Sequence, residues 1–150
     1  MTEWLTGLSA LPLAEALRAS RWAYPLVNAG HILGLALLVG AVVPMNLALL
    51  ARGPDMRAVA TRLLRPFAAA GLGLAIATGA LLFIVQPQEY APLTLFRLKL
   101  ALISLGALNA LLHLRAPLAT LPAARRRMVA LLSLSLWPGV LLCGRLLAYV

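Results

Sequence analysis

Four long apolar stretches alternate with short polar ones along this chain, at about residues 22–50, 67–85, 93–114 and 128–150. A helix of about 20 apolar residues crosses the roughly 30 Å hydrocarbon core of a bilayer, and each stretch is about that long or longer. The pattern therefore predicts four transmembrane helices. We expect an all-α fold, an integral membrane four-helix bundle formed by one domain of residues 1–150.

The segment before the first apolar stretch has a different pattern. Within residues 1–21, leucines and a tryptophan alternate with Glu3, Glu15, Arg18 and Arg21. An amphipathic segment of this kind lies in the plane of a membrane surface when it is helical. Because Pro12 interrupts helical hydrogen bonding, we expect a short N-terminal interfacial helix that is broken there.

Composition supports a membrane protein and excludes a nucleic-acid partner. The chain is 63% hydrophobic and only 11% charged, far more apolar than a soluble domain. The net charge of +9 is explained by basic connectors beside apolar spans, as the positive-inside rule describes. The expected partner is the lipid bilayer.

The basic residues also predict an orientation. Of 13 Lys and Arg residues, five lie on the side of the N-terminus and eight lie in the polar connectors expected at about 52–65 and 115–127. This bias predicts N-out and C-out topology, which we expect in a bacterial inner membrane. The eight are Arg52, Arg57, Arg62, Arg65, Arg115, Arg125, Arg126 and Arg127.

His31 is the first candidate for a functional residue, because it lies inside the first apolar stretch. At about 1.5 Å per residue, it lies roughly 13 Å from Trp22, which marks the interface. An ionisable side chain at this depth usually faces a bundle interior, a cofactor or a water path. A hydrogen bond that only braces two helices is the alternative.

Two cations lie in the same layer as His31. Counted from the same membrane face, Lys99 is about 9 Å deep and Arg145 about 7 Å. Such cations bind carboxylates strongly, so they are candidate partners for haem propionates, whereas snorkelling to the interface is the alternative.

The second histidine, His113, lies roughly 30 Å from that face and is expected to be a solvated interfacial residue. Because the two axial ligands of one haem need nearly equal depth, His31 and His113 of one chain cannot form the pair. A haem with one histidine ligand, or two His31 rings meeting in a homodimer, stays open. His31 is also the candidate metal ligand, although the chain shows no metal-binding spacing of His and Cys.

Small residues indicate where helices pack closely. Gly30 and Gly34 in the first stretch, and Gly71, Ala75 and Gly79 in the second, recur at four-residue spacing, which allows close helix approach. In the third stretch, Asn109 is expected to hydrogen-bond between helices. No residue is assigned a catalytic role.

The stretches WAYPLVNAGHILGLALLVG and FRLKLALISLGALNALLHLR resemble a family of small uncharacterised bacterial four-helix membrane proteins. The resemblance covers most of the chain. Where the family has Asp-Leu-Arg late in the first span, this chain has Asn46-Leu47-Ala48. The residues that carry the resemblance are His31, Gly34, Val39, Gly40, Phe96, Arg97, Lys99 and Asn109.

More distantly, the layout is similar to the membrane-embedded protoporphyrinogen oxidase family and to the membrane domain of copper-resistance CopD proteins. Both have a His in an early span and a Lys in a later one. In the oxidase family these two residues are implicated in haem binding, so the resemblance to that family implies haem contacts for His31 and Lys99. The second His of the oxidase family is missing here, so its activity is not carried over. We expect haem b binding in a membrane redox role, with a redox partner. The alternatives are a CopD-like metal-handling or transport subunit and a structural or assembly subunit without cofactor.

Overall fold

The computed structural model describes residues 2–51, 53–113 and 117–149. In these residues the chain is all-α, as predicted, with no strand and with seven α-helices and two short 3-10 helices. The α-helices are α1 (Thr2–Ser9), α2 (Pro12–Ala19), α3 (Ala23–Ala51), α4 (Pro54–Val85), α5 (Pro87–Tyr90), α6 (Thr94–Leu112) and α7 (Ala123–Leu146), and the 3-10 helices are Leu118–Thr120 and Leu147–Tyr149.

Four of these helices, α3, α4, α6 and α7, are long and apolar enough to cross a membrane. The protein is therefore a multi-pass membrane protein whose spanning elements are helices. The predicted ends of the third and fourth stretches at 114 and 150 lie outside the described residues. So do the connector residues Arg52 and Arg115 and the N-terminal Met1.

Two helices begin earlier than the apolar pattern predicts. Helix α4 starts at Pro54, so most of the polar connector expected at about 52–65 is its first part. Pro54 is compatible with a first helical turn, and Asp55 in that turn interacts favourably with the helix dipole. Helix α7 likewise starts at Ala123 and includes Arg125–Arg127. Long arginine side chains can extend from such a helix end towards water, so the polar pattern did not mark the end of the helix.

The tightest contact in the fold joins α3 to α4. A Cβ added to Gly34 would lie 2.7 Å from the backbone nitrogen of Ala75, and one added to Gly71 would lie 2.5 Å from the backbone nitrogen of Leu38. Both distances are too short for a side chain. Because the two glycines have none, the helix backbones touch directly, which is the kind of contact small residues allow in membranes.

The other long helices pack side by side. Helix α3 also packs on α7, and α7 packs on α6. The core between α3 and α7 contains Leu38, Val42, Trp137 and Val140, and a second cluster near the opposite end contains Leu49, Leu118, Val129 and Ala130.

In the described residues, α4 and α6 share no extended contact. They meet near one end, where the rings of Phe83 and Phe96 stack with their centroids 5.1 Å apart. Near the other end, Arg65 Nη2 donates to the His113 carbonyl at 3.4 Å. Between these points the two helices are separated.

The N-terminal segment forms two helices that meet near Pro12, where the sequence predicted a break. They pack onto the bundle, because Leu5, Ala14 and Leu17 are buried. Arg18 joins these helices to the bundle. Its guanidinium donates to the Val85 carbonyl at the end of α4, at 3.0 Å, and also to the Ser9 carbonyl at the end of α1.

The α3–α4 contact gives the first prediction. Gly71→Ala should lower the free energy of unfolding by about 1–3 kcal/mol, because its Cβ overpacks the contact with Leu38. Gly73→Ala is the matched control on the same helix, since a Cβ there meets nothing within 4 Å. Thermal or denaturant unfolding in detergent measures both. Equal effects of the two substitutions would contradict the close contact.

Candidate functional site

The separation of α4 from α6 leaves a cavity of about 920 Å³ between them, with α3 and α7 behind it. Its walls are almost entirely apolar. Ile76 of α4 and Leu100 of α6, which line it, are 52% and 47% exposed, so the cavity opens sideways, where the bilayer would lie. The polar side chains that line it are His31, Gln88, Arg97 and Lys99.

His31 reaches the cavity from α3 and rests against α4. Its Nδ1 is 3.1 Å from the Thr78 hydroxyl oxygen, and that hydroxyl donates to the Leu74 carbonyl at 2.6 Å. Gly79 makes room for the ring, because a Cβ there would lie 3.1 Å from His31 Cε1. The imidazole thus contacts the Thr78 hydroxyl and lies close against α4 at Gly79.

Lys99 enters the same cavity from α6 and is partly buried. Its ammonium group lies over Gly144 of α7, where an added Cβ would be 3.4 Å from Nζ, and near the buried thiol of Cys143. Lys99 is close enough to His31 for an electrostatic interaction. Among the described residues, no side chain forms an ion pair with Lys99. The cavity therefore has a cation at its edge that can bind an anionic group.

The structure brings His31 and Lys99 together but places Arg145 elsewhere. Arg145 Nη2 donates to the Tyr149 hydroxyl at 2.7 Å, and Arg145 is not among the described residues that line the cavity. Arg97 lines it instead, with its Nε donating to the Ala91 carbonyl at 3.2 Å. Depth along a helix predicted the layer of these cations, whereas their direction around the helix decides which of them reach the cavity.

The cavity is covered at the N-terminal end of the bundle. Trp4 and Leu5 of α1 and Gln88 of α5 form this part of its wall. Gln88 Nε2 also donates to the Ser9 hydroxyl at 2.9 Å, which joins α5 to α1. The N-terminal helices therefore limit access from that end.

A second, smaller cavity of about 420 Å³ lies towards the other end, between the same helices. Leu38, Leu72, Ile76 and Trp137 line both cavities, so they separate one from the other. His113 lines the second cavity only, which agrees with the depth estimate that keeps the two histidines apart.

His113 differs from the sequence prediction in its environment. It is buried, 8% exposed, rather than solvated. Its Nδ1 lies 2.9 Å from the Asn109 carbonyl. This contact gives a partner to a carbonyl near the end of α6, where the last carbonyl groups have no backbone N–H to accept from. Asn109 was expected to bridge helices with its amide, but the hydrogen bond the structure shows there involves its backbone.

Two polar positions inside the spans were given no structural role from sequence. Thr78 contacts His31, and Asn46 Nδ2 donates to the Val42 carbonyl at 2.8 Å and to the Ser133 hydroxyl at 3.2 Å, joining α3 to α7. A buried amide within an apolar stretch is a signal that could have identified Asn46. Thr78 carries no such signal, because a threonine is common in such helices.

The fold and the cavity define a helical multi-pass membrane protein with a histidine and a lysine at a laterally open cavity. No family model matches the chain, and neither the curated proteins nor the solved structures that were searched give a match. Within the described residues, no group of three or more His, Cys, Asp or Glu side chains is placed to hold a metal ion.

The cover over the cavity gives the second prediction. Arg18→Gln should speed amide hydrogen exchange in α1 about tenfold, because a charged donor to two backbone carbonyls is lost. Arg21→Gln is the control: Arg21 lies over the Trp22 ring, 5.5 Å from its centroid. Hydrogen-exchange mass spectrometry in detergent compares them. Unchanged exchange in Arg18→Gln would show that α1 is held by other contacts.

Proposed function

We propose that the cavity between α4 and α6 binds haem b with the His31 imidazole as an axial ligand, in a membrane redox role. The proposal rests on one observation: His31 lines a large apolar cavity, and its Nδ1 atom is already hydrogen-bonded to Thr78. Histidines that bind metals commonly have their second ring nitrogen hydrogen-bonded in this way.

The residues present fit such a cofactor in size and chemistry. A volume of about 920 Å³ lies in the range of cofactor sites, about 300–1,000 Å³. Apolar walls suit the macrocycle, and Lys99 and Arg97, which line the cavity from α6, would bind its carboxylates. When bound, the haem would supply one-electron transfer, while the protein binds, orients and shields it from water.

A haem held by His31 alone needs no further residue, whereas a second ligand would come from outside this set of residues. Since His113 lines a different cavity, His31 of a second copy in a homodimer, or a group from a membrane redox partner, would supply it. We place the site near the outer side of a bacterial inner membrane, with N-out and C-out topology, because the connectors at the opposite end are the more basic.

A distant relation to the protoporphyrinogen oxidase family, which the sequence pattern alone suggests, would favour haem. A relation to CopD would instead favour metal handling or transport with His31 as a transient ligand. A structural role is the second candidate function, and a separate observation supports it. The His31–Thr78 contact already joins α3 to α4, and such hydrogen bonds between membrane helices contribute about 0.6 kcal/mol on average.

The visible spectrum tests the proposal. Protein purified in detergent from haem-replete cells should show a Soret band and reduced α and β bands, and His31→Ala should lose them. His113→Ala is the matched control and should keep them. A colourless wild type that also fails to take up added haem would refute the proposal. Copper binding that depends on His31 would then favour metal handling, and a loss of stability alone in His31→Ala would favour a structural role.

The role of the cations is tested separately by haem titration. Lys99→Gln should weaken haem binding about tenfold, because a charge-assisted contact to a carboxylate is worth about 1.5 kcal/mol or more. Arg145→Gln, which removes a cation outside the cavity, should leave the affinity unchanged. The reverse ranking of the two variants would place the carboxylates near Tyr149 instead.

A further inference from the structure

Thr78 contacts His31 in a way that determines which ring nitrogen carries the proton. A threonine hydroxyl has one hydrogen to donate, and the 2.6 Å distance from Thr78 Oγ1 to the Leu74 carbonyl assigns that hydrogen to the carbonyl. Towards His31, 3.1 Å away, the oxygen can then act only as an acceptor. His31 Nδ1 must therefore be the donor.

The orientation of Thr78 is itself restricted by its neighbours. Its methyl group faces Gly30 of α3, where an added Cβ would lie 3.3 Å from it. The absent side chain of Gly79 lets the imidazole approach α4, because a Cβ there would lie 3.1 Å from Cε1 and 3.5 Å from Nδ1. Because the Thr78 methyl and the ring edge are both closely packed, the hydroxyl and the imidazole have little freedom to rearrange.

A neutral imidazole has one N–H and one unprotonated nitrogen. With the proton on Nδ1, the lone pair lies on Nε2, and this is the nitrogen left for a ligand. We propose that Thr78 is a positioning residue, which fixes the His31 tautomer with Nε2 unprotonated and so prepares the ring to bind a metal centre in the cavity. The part concerning the metal centre rests on the proposed haem function, whereas the tautomer does not.

The backbone of Ala75 is the competing explanation on the same helix, because it also interacts with the His31 ring. The two explanations differ in what a substitution at Thr78 does. If Thr78 positions the ring, removal of its hydroxyl changes the tautomer. If Ala75 is sufficient, the tautomer persists without the hydroxyl.

Nitrogen NMR of the histidine rings distinguishes these cases. Protein labelled with [15N]histidine is measured in detergent without added haem at pH 8, where an imidazole with an ordinary pKa of about 6.5 is neutral. The His31→Ala spectrum assigns the signals. The wild type should show an Nδ1–H, Nε2-unprotonated ring. Thr78→Val, which keeps the shape and removes the hydroxyl, should shift a substantial fraction to the other tautomer, and Thr78→Ser should restore the wild-type spectrum.

Haem titration of the same proteins gives the second readout. Removing such a second partner of a metal ligand typically weakens metal binding 10- to 100-fold, so Thr78→Val should do so and Thr78→Ser should stay within about threefold of the wild type. If the wild type binds no haem, the proposed function fails while the NMR result still decides the role of Thr78.

Three results would overturn the inference. One is a wild-type His31 ring protonated on Nε2, which needs no variant to observe. Another is an unchanged tautomer in Thr78→Val, which would assign the positioning to Ala75. The third is haem binding by Thr78→Val as tight as that of the wild type. If Thr78→Val does not fold, Thr78→Ala replaces it with the same expectations.

Discussion

The close contact between α3 and α4 is the constraint on which the rest of the structure depends. In a bilayer, lipid tails are as apolar as the helix surfaces, so helices associate through packing and hydrogen bonds rather than through the hydrophobic effect. Gly34 and Gly71 let the two backbones touch. His31 lies one turn before Gly34, and this contact therefore brings its ring against Thr78 and Gly79.

The same arrangement leaves room on the other side of α4. Since α4 is held by α3 and α6 is held by α7, the two are joined to each other mainly by side chains near their ends, and a cavity remains between them. Near one end, Tyr90 lies 6.1 Å from the Phe96 ring. Burial, together with nearby Tyr24 and Glu89, raises the pKa of Tyr90. A cavity with apolar walls and a few polar groups at its edge suits a flat, amphipathic ligand better than an ion.

The apolar pattern predicted the four long helices because burial in lipid requires an uninterrupted stretch of apolar residues. It did not predict the start of α4, since arginines are good helix formers and extend towards water. Helical depth placed His31 and Lys99 in one layer, and they line one cavity. Depth carries no information on direction around the helix, so it did not separate Arg145 from Arg97, and it did not show that His113 is buried. Thr78 was not predicted because its role comes entirely from its partner on another helix.

Disulfide trapping tests the arrangement of α3, α4 and α6 most directly. In a Cys143→Ser background, the pair Gly30→Cys and Thr78→Cys should form a disulfide under mild oxidation, because these positions are in contact across α3 and α4. The pair Ile76→Cys and Ile103→Cys lies on opposite walls of the cavity and should stay reduced, since a disulfide needs Cβ atoms about 3.5–4.5 Å apart. Protection from alkylation, read by mass spectrometry, reports both. Efficient trapping of the second pair would mean that α4 and α6 close on each other, and would contradict a cavity at His31.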